Sequence, residues 1–234
     1  PVIVGESKLA LINITLPDGT VNEYAAGITC SEVITDVLGR KNGCLAALVD
    51  GHERDMSYEI HDSCHIEGIK SDSDAGMHIL RHSAAHLLAQ AVMAIYPDAK
   101  PTIGPAIDRG FYYDFAMETI TESDLKPIQK KMQEIARKNL TVERIELDDG
   151  ELREYFSANP YKIEIIDDKI GEGNGSTIYK QGEWYDLCLG PHVQNTAKLM
   201  FCKLTSVSSA YWRGDQDREQ LVRIYGIVEP TKEA

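Results

Sequence analysis

The 234-residue sequence has no stretch of about 18 uninterrupted apolar residues, which excludes a helix that spans a bilayer. Its first residues, Pro1-Val2-Ile3-Val4-Gly5, lack both the basic-then-apolar layout of a secretory leader and an initiator Met. A cytoplasmic chain with a processed or cut start is expected, with no membrane partner. Cysteine is sparse: Cys30, Cys44, Cys64, Cys188 and Cys202 are odd in number, scattered and without a CxxC pair. That usage fits reduced thiols rather than a disulfide framework. Positive charge is the minority, 24 Lys and Arg against 37 Asp and Glu, for a net charge of −13. The sign is wrong for a general nucleic-acid coat, so RNA could be held only by a local basic patch and a specific pocket. HExxH is absent, and with it the glutamate base of a zincin peptidase. No internal repeat is visible.

Apolar residues make up 43% of the chain, enough for a buried core, and the length suits two domains. Residues 1–70 read as a small β-grasp module. Ile12, Ile14 and Leu16 alternate with polar neighbours, Pro17-Asp18-Gly19 turns the chain, and Val21 to Tyr24 returns it. Thr29-Cys30-Ser31-Glu32 has the spacing of a helix capping box, Val33, Val37 and Leu38 form an apolar face, and Gly39 suits the helix end. Strands around the Asp50-Gly51 turn follow. His61, Cys64 and His65 are close in sequence, but a strand turns them to different faces, which disfavours a metal site. The polar run 71–76 reads as a linker.

Residues 77–228 form the second domain. Met77 to Tyr96 reads as a long helix stopped by Pro97, with Leu80, Ala84, Leu87, Leu88, Ala91 and Ile95 on one stripe. His82 and His86 lie on the far side, flanked by further apolar residues, so this helix is expected to be buried with two histidines looking into a cleft. Residues 178–188 read as two strands around Gln181-Gly182, which puts Asp186 and Cys188 on one face, while Gly190-Pro191 delivers His192 from a turn. His82, His86, Cys188 and His192 are a four-ligand set of the type zinc takes. Three chemistries stay open: a zinc-polarised water, a Cys188 thiolate nucleophile, or a water held by polar groups beside a cation. Ser123 to Leu140 reads as an amphipathic helix whose exposed side carries Lys126, Lys130, Lys131, Arg137 and Lys138; residues 198–225 are a second basic stretch. Both are candidate RNA contacts or merely solvated faces.

RHSAAHLLAQAV, IGPAIDRGFYYDF, EWYDLCLGPHV and SSAYWRGD followed by RIYG, in that order, resemble the N-terminal half of bacterial-type threonyl-tRNA synthetase. The likeness covers roughly residues 8–228. It implies a ubiquitin-like TGS domain, then a larger α+β editing domain with a long buried helix against an antiparallel sheet, and residues 229–234 opening a linker to an absent catalytic core. No P-loop or class II motif is visible. The implied activity is hydrolysis of serine wrongly attached to the 3′ end of threonine tRNA, by a chain that belongs to a homodimer through its missing core. The implied site has His82, His86, Lys162, Asp186, Cys188 and His192 as catalytic residues, with Gly104, Tyr113, Asp186 and Cys188 against the substrate, and no metal or other cofactor. Asp186 is expected to face the serine ammonium, Lys162 the oxyanion and His82 the water. Leu189 stands where many relatives carry an arginine, which removes a possible phosphate contact. A zinc-dependent alanyl-type deacylase, with His82, His86, Cys188 and His192 as ligands, and a non-catalytic RNA-binding module are the alternatives.

Overall fold

A computed structural model describes residues 10–171 and 176–232. The chain divides into two compact units, Pro1–Gly76 and Met77–Ala234. In the first, β1 (Leu11–Thr15) and β2 (Val21–Ala25) form the expected hairpin, and β3 (Ile28–Thr29) leads into α1 (Cys30–Leu38). The capping box is closed on both sides: the Glu32 amide donates to the Thr29 hydroxyl, and the Thr29 amide to the Glu32 carboxylate. Two orphan amides of the first turn are thereby satisfied. With β4 (Cys44–Val49), β5 (His52–Asp55), β6 (Glu59–Ile60) and β7 (Cys64–Lys70), the unit builds a five-stranded sheet in the order β2-β1-β7-β4-β5. Strands β1 and β7 run parallel in it, and the core is Ile12, Ile14, Val33, Ile34, Ala47, Ile60 and Ile66. This is the β-grasp arrangement. Cys64 is buried while His61 and His65 are exposed, so these three do not converge.

Helix α2 spans Asp74–Ile95, three residues earlier than the sequence pattern predicts. The polar run 71–76 is therefore only partly a connector: the Ser73 hydroxyl accepts from the Gly76 amide, a local bond that starts the helix. As expected, α2 is buried almost all round, with Ile79, Leu80, Ala84, Leu87, Leu88, Ala91 and Val92 at 0–1% exposure. After it come β8 (Lys100–Pro101), β9 (Ala106–Ile107), β10 (Gly110–Ala116), α3 (Leu125–Arg137), β11 (Val142–Glu146), α4 (Asp149–Tyr155) and α5 (Pro160–Gly171). Strands β12 (Thr177–Gln181), β13 (Trp184–Leu187), β14 (Cys202–Tyr211) and β15 (Gln220–Val228) complete the unit. The pattern predicts a helix from 123 to 140; a 3-10 turn occupies 122–124 and the chain leaves α3 through Asn139 at φ +50.

Two antiparallel sheets frame the second unit, β14-β15-β10-β8 and β11-β12-β13. One line of side chains on α2 meets the second sheet. His82 reaches Cys188, His86 reaches Asp186, Gln90 exchanges hydrogen bonds with Gln181, and the Trp184 indole donates to Met93 sulfur. These contacts lie one turn apart, so the polar stripe of the helix is spent on the sheet rather than on solvent.

Candidate active site

Five segments place the site residues. Helix α2 supplies His82 and His86, β10 supplies Tyr113, α5 supplies Lys162, β13 supplies Asp186, and the turn after it supplies Cys188 and His192. Helix α5 starts at Pro160, preceded by Asn159, whose side-chain oxygen accepts from the amides of Tyr161 and Lys162. The Asn159 amide donates to the Pro101 carbonyl at 2.8 Å, which ties this helix start to β8. An Asn cap followed by Pro is the strongest local helix signal in the region, yet Lys162 was reached from the sequence only through resemblance. Helix α5 is held along its length by the SSAYWRGD segment. Trp212 is buried, its ring meets Tyr161 edge-on and its indole donates to Glu164. Arg213 pairs with Glu164 and Asp168, and Arg218 with Glu164. Arg223 forks onto Asp114 at 2.7 and 2.8 Å and lies over the Tyr112 ring. The three arginines of the second basic stretch thus make ion pairs within the unit, Arg213 and Arg218 with α5 and Arg223 with β10.

Asp186 is the hub. Lys162 Nζ lies 2.7 Å from its Oδ1, the Tyr113 hydroxyl donates to Oδ2 at 2.5 Å, the Leu187 amide donates to Oδ1, and His86 Nε2 stands 3.5 Å from Oδ2. Lys162 Nζ also donates to the Tyr113 oxygen at 3.0 Å. All four side chains are 1–3% exposed. Burial alone would push the Asp186 carboxyl up, but Lys162 and His86, with hydrogen bonds from Lys162 and Tyr113, outweigh it and hold the group below the usual carboxylate value. Burial, then the Asp186 charge, raises Tyr113, which stays a phenol. A carboxylate has about four acceptor positions; Asp186 meets Lys162, Tyr113 and the Leu187 amide, with His86 next to it. The 3.5 Å contact with His86 is the longest of these, and an ammonium could enter there.

The second group is packed around Cys188 sulfur. His82 Nε2 stands 2.9 Å from it, His192 Nε2 3.1 Å, and the Gly190 amide donates to it at 3.3 Å. The three imidazole rings stack or tilt against one another at 4.2–5.5 Å. Burial keeps them neutral: His82 is lowered to about 4, His86 to about 3 and His192 well below its ordinary value. The ligand atoms of His82, His86, Cys188 and His192 lie within 4.8 Å of one another, so these are the residues that could hold a metal. Tetrahedral zinc, with bonds of roughly 2.0–2.3 Å, would space nitrogen and sulfur about 3.5 Å apart. The nitrogen–sulfur pairs here are closer, at hydrogen-bonding contact.

A cavity of about 310 Å³ opens beside these groups, lined by His82, His86, Gly104, Tyr113, Lys162 and Asp186 together with Thr102, Ile103, Pro105, Ile165 and Leu187. Six of the expected residues therefore share one wall. Cys188 and His192 do not line it; Cys188 sulfur lies 2.9 Å from Nε2 of His82, which does. Gly104 is needed where it is: a Cβ there would collide with the Tyr113 ring. Ile103 and Ile165 were missed by sequence reasoning, although Ile165 follows Lys162 by three residues and so shares its helix face.

Residues 176–225 match the family described as the threonyl and alanyl tRNA synthetase second additional domain. Over 94% of its length the chain is 45% identical to a threonine--tRNA ligase of Alkalilimnicola ehrlichii and to one of Saccharophagus degradans, and over 92% it is 42% identical to one of Acetivibrio thermocellus. It spans only 34–35% of the length of those relatives. The resemblance to the N-terminal TGS and editing region of bacterial-type threonyl-tRNA synthetase stands on these matches.

Proposed function

We propose that the second unit hydrolyses the ester linking serine to the 3′ end of threonine tRNA, the editing reaction of a threonine--tRNA ligase. The observation that carries this is the 310 Å³ cavity walled by neutral histidines and one lysine ammonium tied to a buried carboxylate. Ester hydrolysis needs a placed water, a cation for the oxyanion and a leaving hydroxyl. Water adds to the ester carbonyl, the bond to the ribose oxygen breaks, and that oxygen leaves with the proton the water gives up. Lys162 has three ammonium protons; two go to Asp186 and Tyr113, and the third is left for the developing oxyanion. His82, neutral at physiological pH and on the cavity wall, holds the water or the neighbouring ribose hydroxyl. His86 and Asp186 receive the serine ammonium, which takes the place of their long mutual contact. Cys188 and His192 support His82 from behind.

Serine and threonine differ by one methyl, worth only ~1–3 kcal/mol of selection in a binding pocket. Excluding the larger group by collision is more effective where the wall cannot yield. Tyr113 meets that condition, because its hydroxyl is held by Asp186 and Lys162 and its ring lies against Gly104. The test is deacylation of threonine tRNA charged with either amino acid. Serine should be released and threonine spared; equal release of both would sink the reading.

No metal is needed in this scheme, since Lys162 supplies the positive charge. Chelator treatment should leave hydrolysis intact, and Cys188→Ser should keep measurable activity because the thiol is not the nucleophile. A rate abolished by chelator and restored by zinc would transfer the reaction to the alanyl-type mechanism. A seryl-enzyme that can be trapped in the native chain but not in Cys188→Ser would transfer it to the thiol. An RNA-binding role without catalysis predicts no release at any protein concentration.

A further inference from the structure

The environment of one buried hydroxyl settles how protons are arranged behind the cavity. Ser83 lies next to His82 on α2 and is 2% exposed. Its Oγ accepts the Val193 backbone N–H at 3.1 Å and stands 2.9 Å from His192 Nδ1. Among the described residues these are its two hydrogen-bond partners. A hydroxyl has one proton to give. The Val193 amide can only donate, so the hydroxyl proton has one acceptor within reach, the ring nitrogen Nδ1. That nitrogen must then carry a lone pair. A buried neutral imidazole has a single N–H, which is left on Nε2, the nitrogen 3.1 Å from Cys188 sulfur.

We infer that Ser83 is a positioning residue that holds His192 with its proton on Nε2, so that His192 donates to Cys188 and takes no proton from the attacking water. The chain of donors runs from the Val193 amide through Ser83 and His192 to Cys188. The sulfur in turn meets His82 Nε2 at 2.9 Å. Holding the sulfur through His192 therefore also fixes the contact against which the His82 ring packs. The inference rests on the editing reading for its kinetic consequence only. It also bears on metal binding. His192 could ligate a cation through Nε2 only after its proton moved to Nδ1, and Ser83 would then face a donor with its own hydroxyl proton left unplaced.

The experiment uses the whole chain labelled with ¹⁵N at histidine. Nitrogen-15 spectra distinguish a protonated ring nitrogen from one bearing a lone pair, and a lone-pair nitrogen shifts when a donor is removed. His192 should show a lone-pair Nδ1 and a protonated Nε2. In Ser83→Ala the Nδ1 resonance should move toward that of a free ring acceptor, and kcat for serine release should fall about fivefold, the scale of one ordinary hydrogen bond, with KM nearly unchanged. Ser83→Thr should restore both, since it returns the hydroxyl. A protonated Nδ1 in the native chain overturns the inference, whatever the variants do. An Nδ1 resonance unmoved in Ser83→Ala, or an unchanged kcat, overturns it as well. If the native chain releases no serine at all, the editing reading fails, while the spectra still decide the role of Ser83.

Discussion

At the scale of single residues, the buried Lys162–Asp186 pair carries both the chemistry and a share of the stability. Removing one partner strands the other in the interior at a cost of roughly 3–5 kcal/mol, whereas replacing both with apolar or neutral groups costs much less. Lys162→Met should therefore lower the urea midpoint sharply and abolish deacylation. Adding Asp186→Asn should recover part of the midpoint without recovering activity. Recovery of activity in the double variant would show that the ammonium is not the oxyanion's partner. His82, His86, Cys188 and His192 were legible as a set because HxxxH and CxxxH spacings are local. The geometry among them was not, because it depends on which ring nitrogen faces which neighbour, and Ser83 shows how a residue without any motif decides that.

At the scale of elements, the two basic stretches part company. On α3, Leu125, Ile128, Met132, Ile135 and Ala136 are buried, which turns Lys126, Lys130, Arg137 and Lys138 outward. These four make no salt bridge among the described residues, while Lys131 pairs with Glu134 at 3.0 Å. The arginines at 213, 218 and 223 are spent on Glu164, Asp168 and Asp114. Reversing Lys126, Lys130 and Lys138 to Glu should weaken tRNA binding and flatten its dependence on salt, by about one unit of log slope for each phosphate no longer neutralised. Arg213→Ala should leave that slope unchanged and instead slow deacylation, because α5 and Lys162 lose a support. A salt slope that responds to Arg213 and not to the α3 face would reverse the assignment. The amphipathic period of α3 made its exposed face readable from sequence. Nothing local distinguishes an arginine bound for RNA from one bound for a helix far along the chain.

At the scale of the whole molecule, the two units have separate cores and different exposure to acid. The first holds its His52, His61 and His65 on the surface. The second buries His86 and His192 and keeps His82 largely enclosed, with values pushed down from 6.5 to about 4 for His82 and about 3 for His86. Unfolding lets these imidazoles take up protons that the folded interior refuses. Stability from this source is full above pH 6.5 and is lost as the pH falls toward 4, on the order of 1–2 kcal/mol per buried imidazole by pH 5. Calorimetry of chelator-treated protein should thus show the transition of the second unit moving to lower temperature between pH 7 and pH 5, with that of the first nearly fixed. Equal shifts in both would remove the buried histidines as the cause.

The amino-acid sequence by itself determined what acts over short range. The β1–β2 hairpin, the Thr29–Glu32 cap, the span of α2 to within three residues, and the shared register of β12 and β13 all follow from turn chemistry and periodicity, which couple residues a few positions apart. Only the tertiary structure decided what depends on distant partners. Lys162 meets Asp186 from a helix whose placement comes from Asn159 binding Pro101 and from Trp212, Arg213 and Arg218 gripping Glu164. Asp186 meets Lys162, Tyr113 and His86 from three other segments, which makes it the centre of a network. Cys188, two residues on, faces a different cluster and lies off the cavity wall. Periodicity places a side chain on a face, but what stands opposite that face is chosen by packing between segments far apart in the chain.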